Sequence, residues 1–252
     1  MIKIEQNIPL APMTTFQLGG PAKYFTVVHN KEDLQAATKL ARDNNWSVLI
    51  LAGGSNFIIA DEGFNGLVIN VLIDFLQLKG DVLSAGAATT MRELVDRSID
   101  ASLAGLEWAG GLPGSFGGAI RGNAGAFGGE IKDTIIEVEI YSDSDGFKIF
   151  STSQCQFNYR DSIFKHNYNV IVGAKLQLKP GNREELRKMA DSHIRYRQEK
   201  HPMNYPNCGS IFKNVPLEDI PKEHLPLFEE AIKNDPFPII QTEKILAVAG
   251  LK

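Results

Sequence analysis

Glycine dominates the two stretches of this sequence best suited to chemistry. Gly53-Gly54-Ser55-Asn56 follows a short apolar run, and ten of the 25 residues from Gly105 to Gly129 are glycine, against an average usage of about 7%. Glycine lets backbone N–H groups approach a ligand with no Cβ in the way. Successive N–H groups converging on one concavity form an anion nest suited to a pyrophosphate, and Ser55 and Asn56 add side-chain donors. The same residues are also compatible with tight turns that hold nothing. Neither stretch carries G-x-G-x-x-G opening a helix or G-x-x-x-x-G-K-[ST], which disfavours a Rossmann dehydrogenase and a P-loop NTPase. Two nests with apolar strands between them suit a long ligand with a diphosphate in its middle, and FAD is such a ligand.

Other reactive types give little by themselves. Arg160 beside Asp161 reads from composition as a structural ion pair, and Ser210 in a Gly-Ser dipeptide as a turn serine bonded to its own loop. Cys155 and Cys208 are the only cysteines, too few for a disulfide framework or a zinc knuckle. Cys208 lacks the His/Asn context of a thiol nucleophile and reads as a spacer. The five histidines form no H-E-x-x-H or H-x-H group, so no metal is expected. His193, Arg195 and Arg197 read as one solvated helix face.

The positioning elements follow from local patterns. Asn30 with Asp33 caps a helix whose apolar face is Leu34, Ala37, Leu40 and Ala41. Val48-Leu49-Ile50-Leu51 reads as a buried strand broken by Gly53-Gly54, with further strands at Phe57-Ile58-Ile59 and Leu67-Val68-Ile69. Thr90 and Glu93 make a capping box for a helix carrying Leu94, Val95 and Ile99. Ile135–Tyr141, the Asp145-Gly146 turn and Phe147–Phe150 read as a hairpin. Val170, Val172, Ala174, Leu176 and Leu178 alternate as one more strand. Asn182 with Glu185 caps a charged helix that runs to about Lys200 before Pro202 and links two domains. Thr242 to Lys252 reads as helical.

The bulk numbers suit a soluble enzyme. The chain has 252 residues, 43% hydrophobic and 22% charged, with a net charge of −4. No basic run exceeds two residues, so no nucleic acid or membrane surface is expected as a partner. No apolar run approaches the roughly 18–20 residues of a membrane span. Met1-Ile2-Lys3-Ile4-Glu5-Gln6 does not read as a signal peptide. The expected location is the cytoplasm.

Thr15-Phe16-Gln17-Leu18-Gly19-Gly20-Pro21-Ala22 and Gly53-Gly54-Ser55-Asn56 resemble the opening of the UDP-N-acetylenolpyruvoylglucosamine reductases. Gly105-Leu106-Glu107, Gly111-Leu112-Pro113-Gly114-Ser115, Gly117-Gly118-Ala119 and Asn123-Ala124-Gly125-Ala126 continue the match in order. The most specific motifs are Tyr159-Arg160-Asp161-Ser162-Ile163-Phe164 and Gly209-Ser210-Ile211-Phe212-Lys213-Asn214. The match runs from about Thr14 to Lys252. The short path from Lys179 to Ser210 resembles the compact branch of the family.

The resemblance implies an α+β fold: a two-part FAD-binding domain of the vanillyl-alcohol-oxidase-like superfamily, at 1–70 and 71–181, then a linker helix and substrate domain at 182–252. Noncovalent FAD is expected against Gly53, Gly54, Ser55, Asn56 and Phe57, against Gly111, Leu112, Pro113, Gly114, Ser115, Gly117 and Gly118, and against Asn123, Gly125, Ala126 and Val172. The implied cycle is ping-pong: NADPH reduces FAD and leaves, and the enolpyruvyl ether of a UDP-sugar is then reduced. Arg160 matches the family's cation for the charge that develops on the enolpyruvyl carboxylate, and Ser210 its proton donor. Tyr159, Lys213 and Asn214 are expected at the substrate, and no protein partner is implied. The family draws a third catalytic residue, a glutamate, from a segment following A-G-L-K-G. No residue up to Lys252 takes that role, so the substrate domain is expected to be incomplete here.

Overall fold

The structure, a computed structural model, describes residues 2–202, 204–235 and 237–251. The first sheet contains β1 (Glu5–Pro9), β2 (Pro21–Val28), β3 (Val48–Leu51) and β4 (Phe64–Val71) in the order β1-β2-β4-β3. β1 is antiparallel to β2, whereas β2 and β3 flank β4 in parallel. Helix α1 (Lys31–Asp43) supplies the crossover, and the Asn30 side chain accepts from the Asp33 N–H as its cap. Alternate residues of β4 feed two cores: Leu67 and Ile69 meet Leu34, Ala37 and Ala41 of α1, while Val68 meets Leu10, Phe25, Leu51 and Ile59.

Two expectations change here. β3 is an edge strand, with Val48 41% exposed, because β4 rather than β3 takes the centre of the sheet. Phe57–Ile59 is extended loop, not a strand. Its one ladder-like bond nearby is Gly20 N–H to Ala60 O at 2.8 Å, and Ile59 fills the space above Gly19.

A second sheet begins with β5 (Leu76–Lys79) and β6 (Val82–Gly86), followed by α2 (Met91–Asp100). Thr90 and Glu93 form the reciprocal capping box, and Leu94, Val95 and Ile99 are buried. The glycine-rich run then holds β7 (Leu103–Ala104), α3 (Phe116–Arg121), β8 (Gly125–Ala126) and β9 (Gly129–Glu130). The hairpin β10 (Ile135–Ser142) and β11 (Gly146–Ser151) and the strand β12 (Val170–Gln177) complete the sheet order β11-β10-β12-β6-β5. The alternation in β12 does not produce one wet face: Val170 to Ala174 are all buried, because β12 is the central strand and α3 covers it.

β13 (Lys179–Pro180) pairs with β7 and leads into α4 (Arg183–Lys200), whose cap Asn182 accepts from Glu184 and Glu185 N–H. This helix lies against the second sheet's layer. Arg187 reaches Asp96 at 2.6 Å and Arg183 reaches Asp100 at 2.7 Å, both on α2. A Cβ on Gly110 would stand 2.4 Å from the Ala190 carbonyl, so glycine lets the helix backbone settle onto that loop. β14 (Val215–Pro216), β15 (Ile232–Asn234) and β16 (Pro238–Ile240) form a small sheet, ordered β14-β16-β15. α5 (Thr242–Val248) stops earlier than expected: Gly250, at φ +76°, turns the chain, with Leu251 N–H bonded to Leu246 O. That arrangement is a glycine C-terminal cap, and Lys252 lies outside the described residues. Among the described residues, no helix is long and apolar enough to cross a membrane.

Candidate FAD and substrate site

The two glycine loops meet. Ala52 and Gly53, at the end of β3, and Leu112 to Ser115 line a cleft of about 340 Å³ together with Val71, Leu72, Ala88, Thr90 and Arg92. Its walls are largely apolar, and its size is at the low end of small-molecule sites. Gly114 stands at φ +101°, and a Cβ there would come 2.5 Å from Ser55 Oγ. Among the described residues, the backbone N–H groups of Gly53, Gly54, Ser55, Asn56, Gly114 and Ser115 meet no protein acceptor. An apolar slot edged by unspent N–H groups fits a base and a pyrophosphate, so these residues fit FAD.

The other expected cofactor residues divide. Leu112 and Pro113 line the cleft, while Phe57 packs behind it with the Leu51 and Val68 core. Gly111, at φ +71°, lies against Ile194 and Arg197 of α4. Gly117 and Gly118 have spent their N–H groups, on Ala87 O and on Ser115 Oγ. The Val172 side chain is fully buried, and its carbonyl accepts from Ala87 N–H. Asn123 is fully buried with both side-chain ends bonded, to Asn158 O, Glu130 and Lys132 N–H. Gly125 and Ala126 form β8 at the edge of a second group of residues, built around Arg160.

Arg160 sits in a tight turn closed by mutual backbone bonds between Asn158 and Asp161, at 3.0 and 3.1 Å. Its φ of +52° is left-handed, a conformation that costs a non-glycine residue on the order of 1 kcal/mol and marks functional sites. Nη2 donates to Gly125 O at 2.6 Å, and the guanidinium lies 5.0 Å over the Tyr159 ring. Nη1 is buried with no hydrogen-bond partner among the described residues. Asp161 is not its partner: that carboxylate takes His166 Nε2 at 2.9 Å, which holds it below the usual carboxylate range. Lys165 Nζ donates to Arg160 O at 2.7 Å, and burial followed by the nearby Lys213 charge lowers its pKa. Arg160, Lys165 and Lys213 thus gather three basic side chains at one turn.

Ser210 is exposed on a loop tied at both ends. Asn207 N–H donates to Thr15 O at 3.1 Å and Asn207 O accepts from Thr15 Oγ1 at 2.7 Å, while Thr15 N–H bonds Gly54 O. At the far end Lys213 Nζ donates to Tyr159 O at 3.4 Å. The loop therefore runs from the Gly53 side of the cleft to the Arg160 turn. Asn214 Oδ1 accepts from Thr242 N–H at 3.4 Å, so it is engaged with α5.

His193 and Arg197, expected on a solvated face, are instead partly covered. His193 stacks on Phe127 at 3.9 Å, and Arg197 Nε donates to Gly110 O at 3.1 Å beneath the same ring. Burial lowers both groups' pKa values, with Arg197 adding to the effect at His193. Their helical spacing gave no signal; the facing glycine loop decides it. Arg195 is exposed, as expected.

A family model described as an FAD binding domain matches residues 22–149. The UDP-N-acetylenolpyruvoylglucosamine reductase of Staphylococcus carnosus (strain TM300) is 36% identical over 217 residues, 86% of this chain and 70% of that protein. The chain belongs to the UDP-N-acetylenolpyruvoylglucosamine reductase family. The crystal structure of the reductase from Thermus caldophilus superposes with a TM-score of 0.74 at 26% identity, covering 99% of this chain and 94% of that one. A solvent-stable cholesterol oxidase aligns over 71% of this chain and 38% of its own, at TM-score 0.57 and 15% identity, a likeness of fold alone. The fold is therefore the α+β FAD-binding architecture that the resemblance implied.

Proposed function

We propose that this protein holds FAD noncovalently and uses NADPH to reduce the enolpyruvyl ether of UDP-N-acetylglucosamine, in the cytoplasm, for peptidoglycan precursors. The observation that carries the reading is Arg160: a left-handed residue whose half-buried guanidinium has no partner for Nη1 among the described residues, joined through Tyr159 and Lys213 to the Ser210 loop. Reduction of the vinyl group drives charge into its carboxylate. A cation fixed beforehand lowers that barrier, and the guanidinium fork suits a carboxylate. The flavin supplies the two electrons when bound. The chain supplies the Gly53 and Gly114 N–H groups for its pyrophosphate, Arg160 for the developing charge, and Ser210 Oγ as the donor of the proton that completes the product. Tyr159 and Lys213 hold the substrate, with Asn214 bracing their loop against α5. We further read 1–70 and 71–181 as two FAD-binding subdomains and 182–252 as linker helix and substrate domain. The second and third sheets fall within 71–181 and 182–252, and the first ends at Val71, one residue past the first range.

The purified protein is expected to be yellow, to release its flavin on acid precipitation, and to oxidise NADPH faster when the enolpyruvyl UDP-sugar is added. A colourless protein that gains no flavin absorbance on incubation with FAD would count against the cofactor assignment. Flavin that NADPH bleaches and the UDP-sugar does not restore would count against the substrate.

A further inference from the structure

The Arg160 head reaches out of its own turn into the small hairpin β8–β9. One strand supplies Gly125 O at 2.6 Å from Nη2, and the other supplies Glu130, whose Oε1 lies 3.8 Å from Nη1. Gly125 and Glu130 are cross-strand partners, so the hairpin sets the spacing of both contacts. Glu130 is itself fixed. It is 4% exposed, accepts from Asn123 Nδ2 at 3.2 Å, pairs with Lys132 Nζ at 2.5 Å and donates its backbone N–H to Asp133 at 2.8 Å. The same Asn123 Nδ2 donates to Asn158 O at 2.9 Å, the residue that opens the Arg160 turn. A Cβ on Gly125 would stand 3.0 Å from Nη1 and 2.8 Å from Glu130 Cγ, so the bare glycine is part of the seat.

At 3.8 Å Glu130 is too far from Nη1 to hydrogen-bond it. It attracts the guanidinium without bonding Nη1, which stays buried between Glu130 and Gly125. We propose that Glu130, locked by Asn123, is a positioning residue that aims Arg160 at the substrate carboxylate; this rests on the functional reading given above. A carboxylate hydrogen-bonded to Nη1 would have used that N–H outright. An apolar residue would have let the long side chain wander, and a displacement of about 1 Å in a positioned group can cost roughly 10²-fold in rate.

The test follows the flavin absorbance through each half-reaction in stopped flow. Glu130→Ala should keep its flavin and be reduced by NADPH like the wild type, yet be reoxidised by the enolpyruvyl UDP-sugar roughly 10²-fold more slowly. Glu130→Gln, which keeps the Asn123 bond but not the charge, should fall between the two. In an Arg160→Ala background Glu130→Ala should cost nothing more, because a residue acting through another shows no additive effect. Gly125→Ala, which crowds Nη1 without touching Glu130's charge, should reproduce the selective loss. Equal slowing of both half-reactions, unchanged reoxidation, or loss of flavin in Glu130→Ala would overturn the proposal. Additional slowing on the Arg160→Ala background would do the same. Wild-type protein that the UDP-sugar fails to reoxidise would instead remove the functional reading, and this inference with it.

Discussion

At the scale of single residues, the proposed reaction divides its chemistry between Arg160 for charge and Ser210 for the proton. Arg160→Ala should leave NADPH reduction of the flavin intact and slow reoxidation by substrate about 10²–10³-fold, the usual cost of one preorganised electrostatic contact. Comparable loss in both half-reactions would make Arg160 a flavin-positioning group. Ser210→Ala should be reduced normally and stall with substrate. Ser210→Cys should recover part of the rate, because a thiol, with a pKa of about 8.5, is a stronger acid than a hydroxyl. Product formation by Ser210→Ala at the wild-type rate and stereochemistry would remove Ser210 from the mechanism. Cys155 behaves in the opposite way to a reactive thiol: burial pushes it up from 9.0 to about 11. The unfolded chain therefore releases that proton first. The stability linked to keeping it is complete below about pH 9 and lost as pH rises towards 11. Denaturant midpoints measured across that window should fall, and should fall less in Cys155→Ala.

At the scale of elements, the helix starts carry their own instructions. Asn30, Thr90 and Asn182 all accept from N–H groups two to three residues on, and all three caps are visible in the sequence because the partners are near neighbours. Asn30→Ala, remote from the cleft, should cost about 1 kcal/mol by urea denaturation and leave flavin content unchanged. Gly114→Val should lower flavin retention, because valine tolerates φ +101° poorly and crowds Ser55. Flavin retention after ultrafiltration is the readout, and undiminished retention would disconnect this loop from the cofactor. What the sequence hides at this scale is the use of apolar residues outside strands. Phe57 and Ile59 have strand-like composition, yet they fill a loop core behind the cleft, and only the packing of Leu10 and Gly19 reveals it.

At the scale of the whole molecule, legibility falls with sequence separation. The Gly53 and Gly114 loops were readable as nests, but that they face one another across a single cleft depends on the first sheet meeting the second. The seat of Arg160 joins Asn123 to Asn158, and Arg197 reaches Gly110 across 87 residues; neither leaves a local pattern. Because the cleft draws on both sheets, FAD should bind only the assembled pair. Saturation at 100 times the dissociation constant would then add about 2.7 kcal/mol to unfolding, visible as a higher Tm in a flavin-titrated thermal melt. An unchanged melt would mean that the two sheets hold together without the ligand's help and that FAD sits on one of them. The tie between Thr15 and Asn207 spans 192 positions, and it belongs to the history of the molecule as much as to its shape. Thr15 waits, during synthesis, for Asn207 to emerge 192 positions later. Closing so long a loop costs little more than closing a shorter one, since each doubling adds only about 0.6 kcal/mol; the delay is one of time. Both sheets that line the cleft are complete by Gln177, so a nascent chain can close the cleft before the Thr15–Asn207 tie forms.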